Sequence, residues 1–255
     1  MTDLGGHVAV VTGGGTGIGA AIAEAFAAAG AKVAVTGRRP APLATIVQRI
    51  DDAGGTGLAV PADVTDLVAM ELGVATILES FGRIDLVVAK AGAAPPMGPV
   101  VETSLETWRS IVALNLTGVW ITAKVTVPSL VGAGGGRFIV IGSGAARANS
   151  GGLGSYSAAK AGASALTRVL AAELRDAHIA VNEIVPGPVN TPAIAQLMGM
   201  APQQVTDQAA EVGARLPSGE WFKEPSAVAD LALYLAGLPV DGTTGQVFSL
   251  LGRLV

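Results

Sequence analysis

The 255 residues are half hydrophobic and only 14% charged, with 35 glycines, which supplies a large core and many tight turns and excludes a disordered chain. The net charge of -4 offers nucleic acid no basic face, and the absence of Cys excludes disulfide and thiol chemistry while agreeing with a reducing cytoplasm. His7 and His178 stand far apart, so no His-based metal site is expected, and no stretch reads as an export signal or as the roughly 18 uncharged apolar residues of a spanning helix.

The elements alternate along the chain. His7 to Thr12 is a short apolar run ending in glycines, which predicts a buried strand. Ile18, Ile22 and Phe26 then mark one face of an Ala-rich helix, over about Ala20 to Ala29, stopped by Gly30. Lys32 to Thr36 is a second strand, followed by Gly37-Arg38-Arg39 and a helix from about Ala41 to Ala53. Thr56 to Val60 is a third strand, Asp66 to Ser80 a helix, and Ile84 to Ala89 a fourth strand.

One long helix is expected over roughly Ser104 to Leu130, with Pro128 near its end. Arg137 to Ile141 makes a fifth strand, a helix follows to about Asp176, and Ile179 to Val185 makes a sixth strand. The pattern loosens from Pro186 to about Glu224. Pro225 to Ala236 is then a helix, and Gln246 to Leu250 a last strand. Strands that alternate with helices predict right-handed βαβ units, and near-continuous apolar strands predict burial on both faces. The expected fold is α/β: one Rossmann-like, doubly wound parallel sheet of about seven strands in a single domain, residues 1–255.

Two stretches carry chemistry. Thr12-Gly13-Gly14-Gly15-Thr16-Gly17-Ile18-Gly19 turns the first strand into the first helix, where glycines permit close backbone approach and a helix N-terminus attracts a pyrophosphate. At the end of the second strand stand Arg38 and Arg39 with no acidic residue beside them. A carboxylate there would bind a ribose hydroxyl, whereas guanidiniums hold a 2′-phosphate, so NADP(H) is the expected cofactor. The second stretch places Tyr156 and Lys160 four residues apart on one helix face, with Ser143 thirteen residues before Tyr156. A cation beside a phenol favours its ionised form, which makes Tyr156 a candidate acid/base.

The glycine turn and the Ser143/Tyr156/Lys160 set together resemble the classical short-chain dehydrogenase/reductase family over essentially the whole chain. The resemblance implies that Tyr156 protonates a carbonyl oxygen, that Ser143 orients it, and that Lys160 binds the nicotinamide ribose and lowers the phenol pKa. It implies that Asn115 holds a water in the proton relay. The cofactor residues it implies are Gly13, Thr16, Gly17, Ile18, Gly19, Arg38, Arg39, Asp63, Val64, Ala91, Gly92, Tyr156, Lys160, Pro186, Gly187, Val189 and Thr191. One position departs: the family usually reads Asn-Asn-Ala-Gly where this chain has Ala89-Lys90-Ala91-Gly92.

The implied activity is reversible, NADP(H)-dependent reduction of a ketone to a secondary alcohol, with a 3-oxoacyl thioester as the alternative substrate. Substrate determinants are expected on loops: 93–99 with Pro95-Pro96-Met97, 145–153 with Arg147, and about 193–222 with Met198, Met200 and Arg215. An extended-branch epimerase or dehydratase would carry a different glycine turn, and a non-catalytic NADP sensor would typically lose the Tyr or the Lys. The expected partners are a small-molecule ketone or alcohol and further copies of the chain in a cytoplasmic homotetramer, with no nucleic acid and no membrane.

Overall fold

The structure is a computed structural model that describes residues 2–147, 151–192, 194–195 and 222–251. Its strands are β1 (Val8–Thr12), β2 (Lys32–Gly37), β3 (Thr56–Pro61), β4 (Leu86–Ala89), β5 (Gly136–Ile141), β6 (Ile179–Val185) and β7 (Val247–Ser249). They form one seven-stranded sheet in the order β3-β2-β1-β4-β5-β6-β7, and every pairing is parallel. The helices are α1 (Gly17–Ala28), α2 (Pro40–Asp52), α3 (Leu67–Phe81), α4 (Leu105–Val112), α5 (Gly118–Gly132), α6 (Gly154–Glu173) and α7 (Pro225–Gly237).

Alternate residues of each strand feed opposite cores, as the two-residue period of a strand requires. Ala9, Val11, Val33 and Val35 pack with Ile22 and Phe26 of α1 and Ala232 of α7. Val8, Val10, Val87 and Val140 pack on the other face with Ile77, Val119 and Ala163. Each such Val or Ile taken from water contributes on the order of 2 kcal/mol, so burial on the sheet, rather than local propensity, holds the helices. Sequence punctuation sets their ends. Asp66 caps α3 by accepting from the Ala69 N–H at 3.0 Å, and Gly82 closes it in the left-handed region at φ +82°.

The chain winds outward in opposite directions from β1, which lies between β2 and β4. Such a reversal opens a crevice at the carboxyl ends of the central strands. Thr12 pins that crevice: its hydroxyl accepts from the Lys90 and Ala91 N–H groups at 3.0 and 3.2 Å and donates to the Val88 carbonyl at 3.3 Å.

The stretch expected as one long helix is continuous from Leu105 to Gly132, but five residues within it, Ala113–Thr117, wind as a π turn. At 28 residues it is also long and apolar enough to cross a membrane by length and composition, although Glu106, Arg109 and Lys124 interrupt it, so it holds no uncharged run of about 18 residues. Its inner residues Val119, Ala123 and Leu130 are buried against the sheet, which is the place of a core helix. His178 stands directly before β6 and bonds Asp241 at 2.6 Å.

Candidate active site

The predicted cofactor residues gather along the carboxyl edge of the sheet. A cleft there is lined by Gly13 and Thr16 after β1, Arg38 and Arg39 after β2, Asp63 and Val64 after β3, and Lys90, Ala91 and Gly92 after β4. Gly17 adopts φ +56°, a backbone most side chains avoid, and a Cβ on Gly19 would collide with the Gly13 carbonyl oxygen. The turn is therefore a cradle of bare backbone at the start of α1. Thr191 closes it from the β6 side, its methyl 3.1 Å from where a Gly17 Cβ would stand.

Three predicted residues serve packing as well. Val64 is buried with Met70 and Ile121, and Val189 is buried with the core on the α1 face. Ile18 also packs against that core. Pro186 and Gly187 form the turn after β6, held where Lys223 N–H donates to the Pro188 carbonyl at 3.1 Å. Asp63 orders its own loop by accepting from the Thr65 N–H and hydroxyl at 2.9 and 2.8 Å. Arg38 and Arg39 are exposed, with no hydrogen-bond or ion-pair partner among the described residues.

Asn115 and Lys160 meet this cleft at Gly92, and Tyr156, which pairs with the Ser143 hydroxyl, lies beside Lys160. Ser143 follows β5 in an extended conformation, and its hydroxyl accepts from the Ala145 N–H at 3.2 Å. Tyr156 and Lys160 lie in the first two turns of α6, with the ammonium 5.9 Å from the centre of the phenol ring. Asn115 sits in the π turn. A π turn moves backbone bonding from i−4 to i−5. Here the Asn115 side-chain amide donates to the carbonyl of Ile111, four residues back, at 3.0 Å, and to that of Ala93 at 2.8 Å. Its Oδ1 is buried without a partner and lies 2.6 Å from where a Gly92 Cβ would stand, with the Lys160 ammonium 3.5 Å from the same point. An acceptor left so costs about 1–3 kcal/mol unless a ligand or solvent group meets it. The bare turn, the free arginines and this acceptor fit a dinucleotide and a polar reacting group at its inner end.

The electrostatics depart from one expectation. Burial raises the Tyr156 pKa above the ordinary phenol value, and only the neighbouring Ser143 hydroxyl lowers it. Lys160 does not bring it down. Its ammonium is turned to the Ile141 carbonyl at 2.8 Å, and it is itself a weakened acid-base group, lowered to about 8 by burial and then by the like charge of Lys90. Glu183 opposes that lowering.

Glu183 is the residue that the sequence pattern hid. It lies fully buried within β6, where the apolar run reads as plain strand, and accepts from the Ser164 hydroxyl at 2.6 Å. Arg147, offered by the sequence as a substrate cation, is instead turned inward, 3.6 Å from the Glu183 carboxylate. Gly142 leaves room for that carboxylate directly before Ser143, since a Cβ there would overlap it. The only signal available was the pair Asn182-Glu183 inside an otherwise apolar strand. Met198, Met200, Arg215 and most of the segment 193–222 lie outside the described residues.

The family model described as short chain dehydrogenase matches residues 7–200. The chain is 35% identical over 249 residues to the 2,5-dichloro-2,5-cyclohexadiene-1,4-diol dehydrogenase of Sphingobium indicum, covering 94% of this chain and 96% of that one. It is 34% identical to the 3-oxoacyl-[acyl-carrier-protein] reductase of a Synechocystis strain, over 100% of this chain and 99% of that one. Among solved structures it is similar, with a TM-score of 0.84 and 34% identity over 97% and 96% of the two chains, to a candidate NAD(P)-dependent gluconate 5-dehydrogenase from Beutenbergia cavernae with NADP bound at low occupancy.

Proposed function

The chain belongs to the short-chain dehydrogenase/reductase family, and on that premise we propose that it is a reversible, NADP(H)-dependent reductase of ketones to secondary alcohols. The observation that carries this reading is the grouping of Ser143, Tyr156, Lys160 and Asn115 beside Gly92 of a cleft that also holds Arg38 and Arg39, two arginines without a partner among the described residues. The nicotinamide cofactor supplies the hydride when bound. Gly13, Gly17 and Gly19 would take its pyrophosphate on bare backbone, and Asp63, Val64, Ala91 and Gly92 would line the adenosine half. Val189 and Thr191 would meet the carboxamide.

The chain's own residues handle the oxygen. Ser143 donates a hydrogen bond that orients it, and Tyr156 gives it the phenolic proton during reduction. Lys160 fixes the ribose, and Asn115 completes the proton path through its unpaired Oδ1. In the oxidative direction the same proton returns to the Tyr156 phenolate.

For substrate, a ring-borne secondary alcohol or its ketone is favoured by the first relative named above, and a 3-oxoacyl thioester by the second. The test is NADPH oxidation with cyclohexanone-type ketones and 3-oxoacyl thioesters side by side. Turnover of neither class, with NADPH bound, sinks the reductase reading and leaves a nucleotide-sensing protein. Cofactor choice has its own test. Arg38→Asp puts a carboxylate where the 2′-phosphate would lie, and NADPH affinity is expected to fall roughly 100-fold while NADH changes little. Equal effects on the two remove the 2′-phosphate argument.

The same reading includes a cytoplasmic homotetramer packed through the C-terminal strand β7 and the helices α4, α5 and α6, whose outer faces expose Leu105, Trp120 and Val169. Sedimentation is expected to give four chains per particle, and a monomer at working concentration overturns it.

A further inference from the structure

Lys90 stands where the family pattern that the sequence resembles has a neutral amide, and its surroundings are unusual for a lysine. Its backbone N–H is tied to Thr12, so the residue is fixed at the junction of β1 and β4. The side chain runs across the glycine turn, its Cδ 3.3 Å from where a Gly13 Cβ would stand, and forms part of the cleft wall. Among the described residues the ammonium has no hydrogen bond and no ion pair. A partly buried cation without a counter-charge among the described residues is costly, and a second cation, Lys160, lies close enough to interact with it.

An anion seated on the turn would give Lys90 the counter-charge it lacks among the described residues. Asp63 is the cleft's carboxylate, and it spends one oxygen on Thr65. Resting on the reading that this cleft takes a dinucleotide, we propose that Lys90 clamps the cofactor's pyrophosphate against the Gly13 turn, as a cation added to the backbone cradle. The pyrophosphate is common to both nicotinamide dinucleotides, so Lys90 sets affinity without setting the choice between them. That choice falls to Arg38. Burial holds the free Lys90 ammonium down to about 8, and an adjacent phosphate would restore its charge.

Titration calorimetry of the full chain with NADPH and with NADH tests this. Lys90→Asn, the family's usual residue, is expected to raise Kd for both dinucleotides by the same factor, roughly 10- to 100-fold. Lys90→Met keeps the apolar stem along Gly13 and is expected to do the same, while Lys90→Arg stays within a few-fold of wild type. Unchanged affinity in both the Asn and Met variants overturns the proposal, and so does a loss confined to NADPH, which would make Lys90 a 2′-phosphate ligand. A wild type that prefers NADH overturns the NADP reading alone and leaves the Lys90 factor measurable. A wild type that binds neither dinucleotide overturns both.

Discussion

Tyr156→Phe is expected to lower kcat for ketone reduction by roughly 10²- to 10⁴-fold while leaving the Kd for NADPH within a few-fold of wild type. The substitution removes one oxygen and keeps the ring beneath which Lys160 lies, so α6 and its packing are undisturbed. What is lost is the proton donor. The direction of the Tyr156 shift sharpens the expectation. Burial raises its pKa, so the phenol is fully protonated at neutral pH and suited to give a proton to a forming alkoxide. The oxidative reaction needs the phenolate instead, and its rate is expected to climb with pH across the alkaline range where reduction has no such gain. Single-turnover reduction measured beside equilibrium NADPH binding separates the two terms. Turnover in Tyr156→Phe equal to wild type would remove the tyrosine from the chemistry.

The parts of this site that were legible in the sequence are those fixed by spacing. Tyr156 and Lys160 share a face because residues four apart on a helix must, and the glycine turn is legible because it lies between an apolar strand and an amphipathic helix. The parallel, doubly wound sheet of about seven strands followed from the same alternation of strands and helices. Three features were not legible, each for a physical reason. The π turn at Asn115 adds one residue to one turn, which the helical period of surrounding apolar residues does not register. Glu183 was hidden because a strand buried on both faces loses the alternation that would flag a charge on one of them. The Lys160 ammonium bonds the Ile141 carbonyl across the sheet edge, a contact 19 residues distant in sequence that no local pattern announces. That contact also explains why proximity alone did not lower the phenol pKa. A cation engaged elsewhere and weakened by burial has less field to lend.

Lys160→Ala is expected to be the other severe change, reducing kcat/KM by roughly 10²- to 10³-fold through loss of the proposed ribose contact and of the buried positive charge near Tyr156. Its pH behaviour follows from the forces on the ammonium. Burial acts first and Lys90 second to lower it to about 8, while Glu183 holds it up. The charged form is the useful one, so kcat/KM for ketone reduction is expected to be full below about 8 and to fall as pH rises through that value. Tyr156 cannot produce that limb, because its pKa moves the other way. The neighbours give opposite signs. Glu183→Gln removes the favourable charge while keeping the acceptor for Ser164, and is expected to move the limb to lower pH. Lys90→Asn removes the repelling charge and is expected to move it to higher pH. A limb that stays in place in both variants would show that a different group titrates there. A limb that moves the same way in both would show a general loosening of the site, since two opposite charges cannot shift one cation in the same direction.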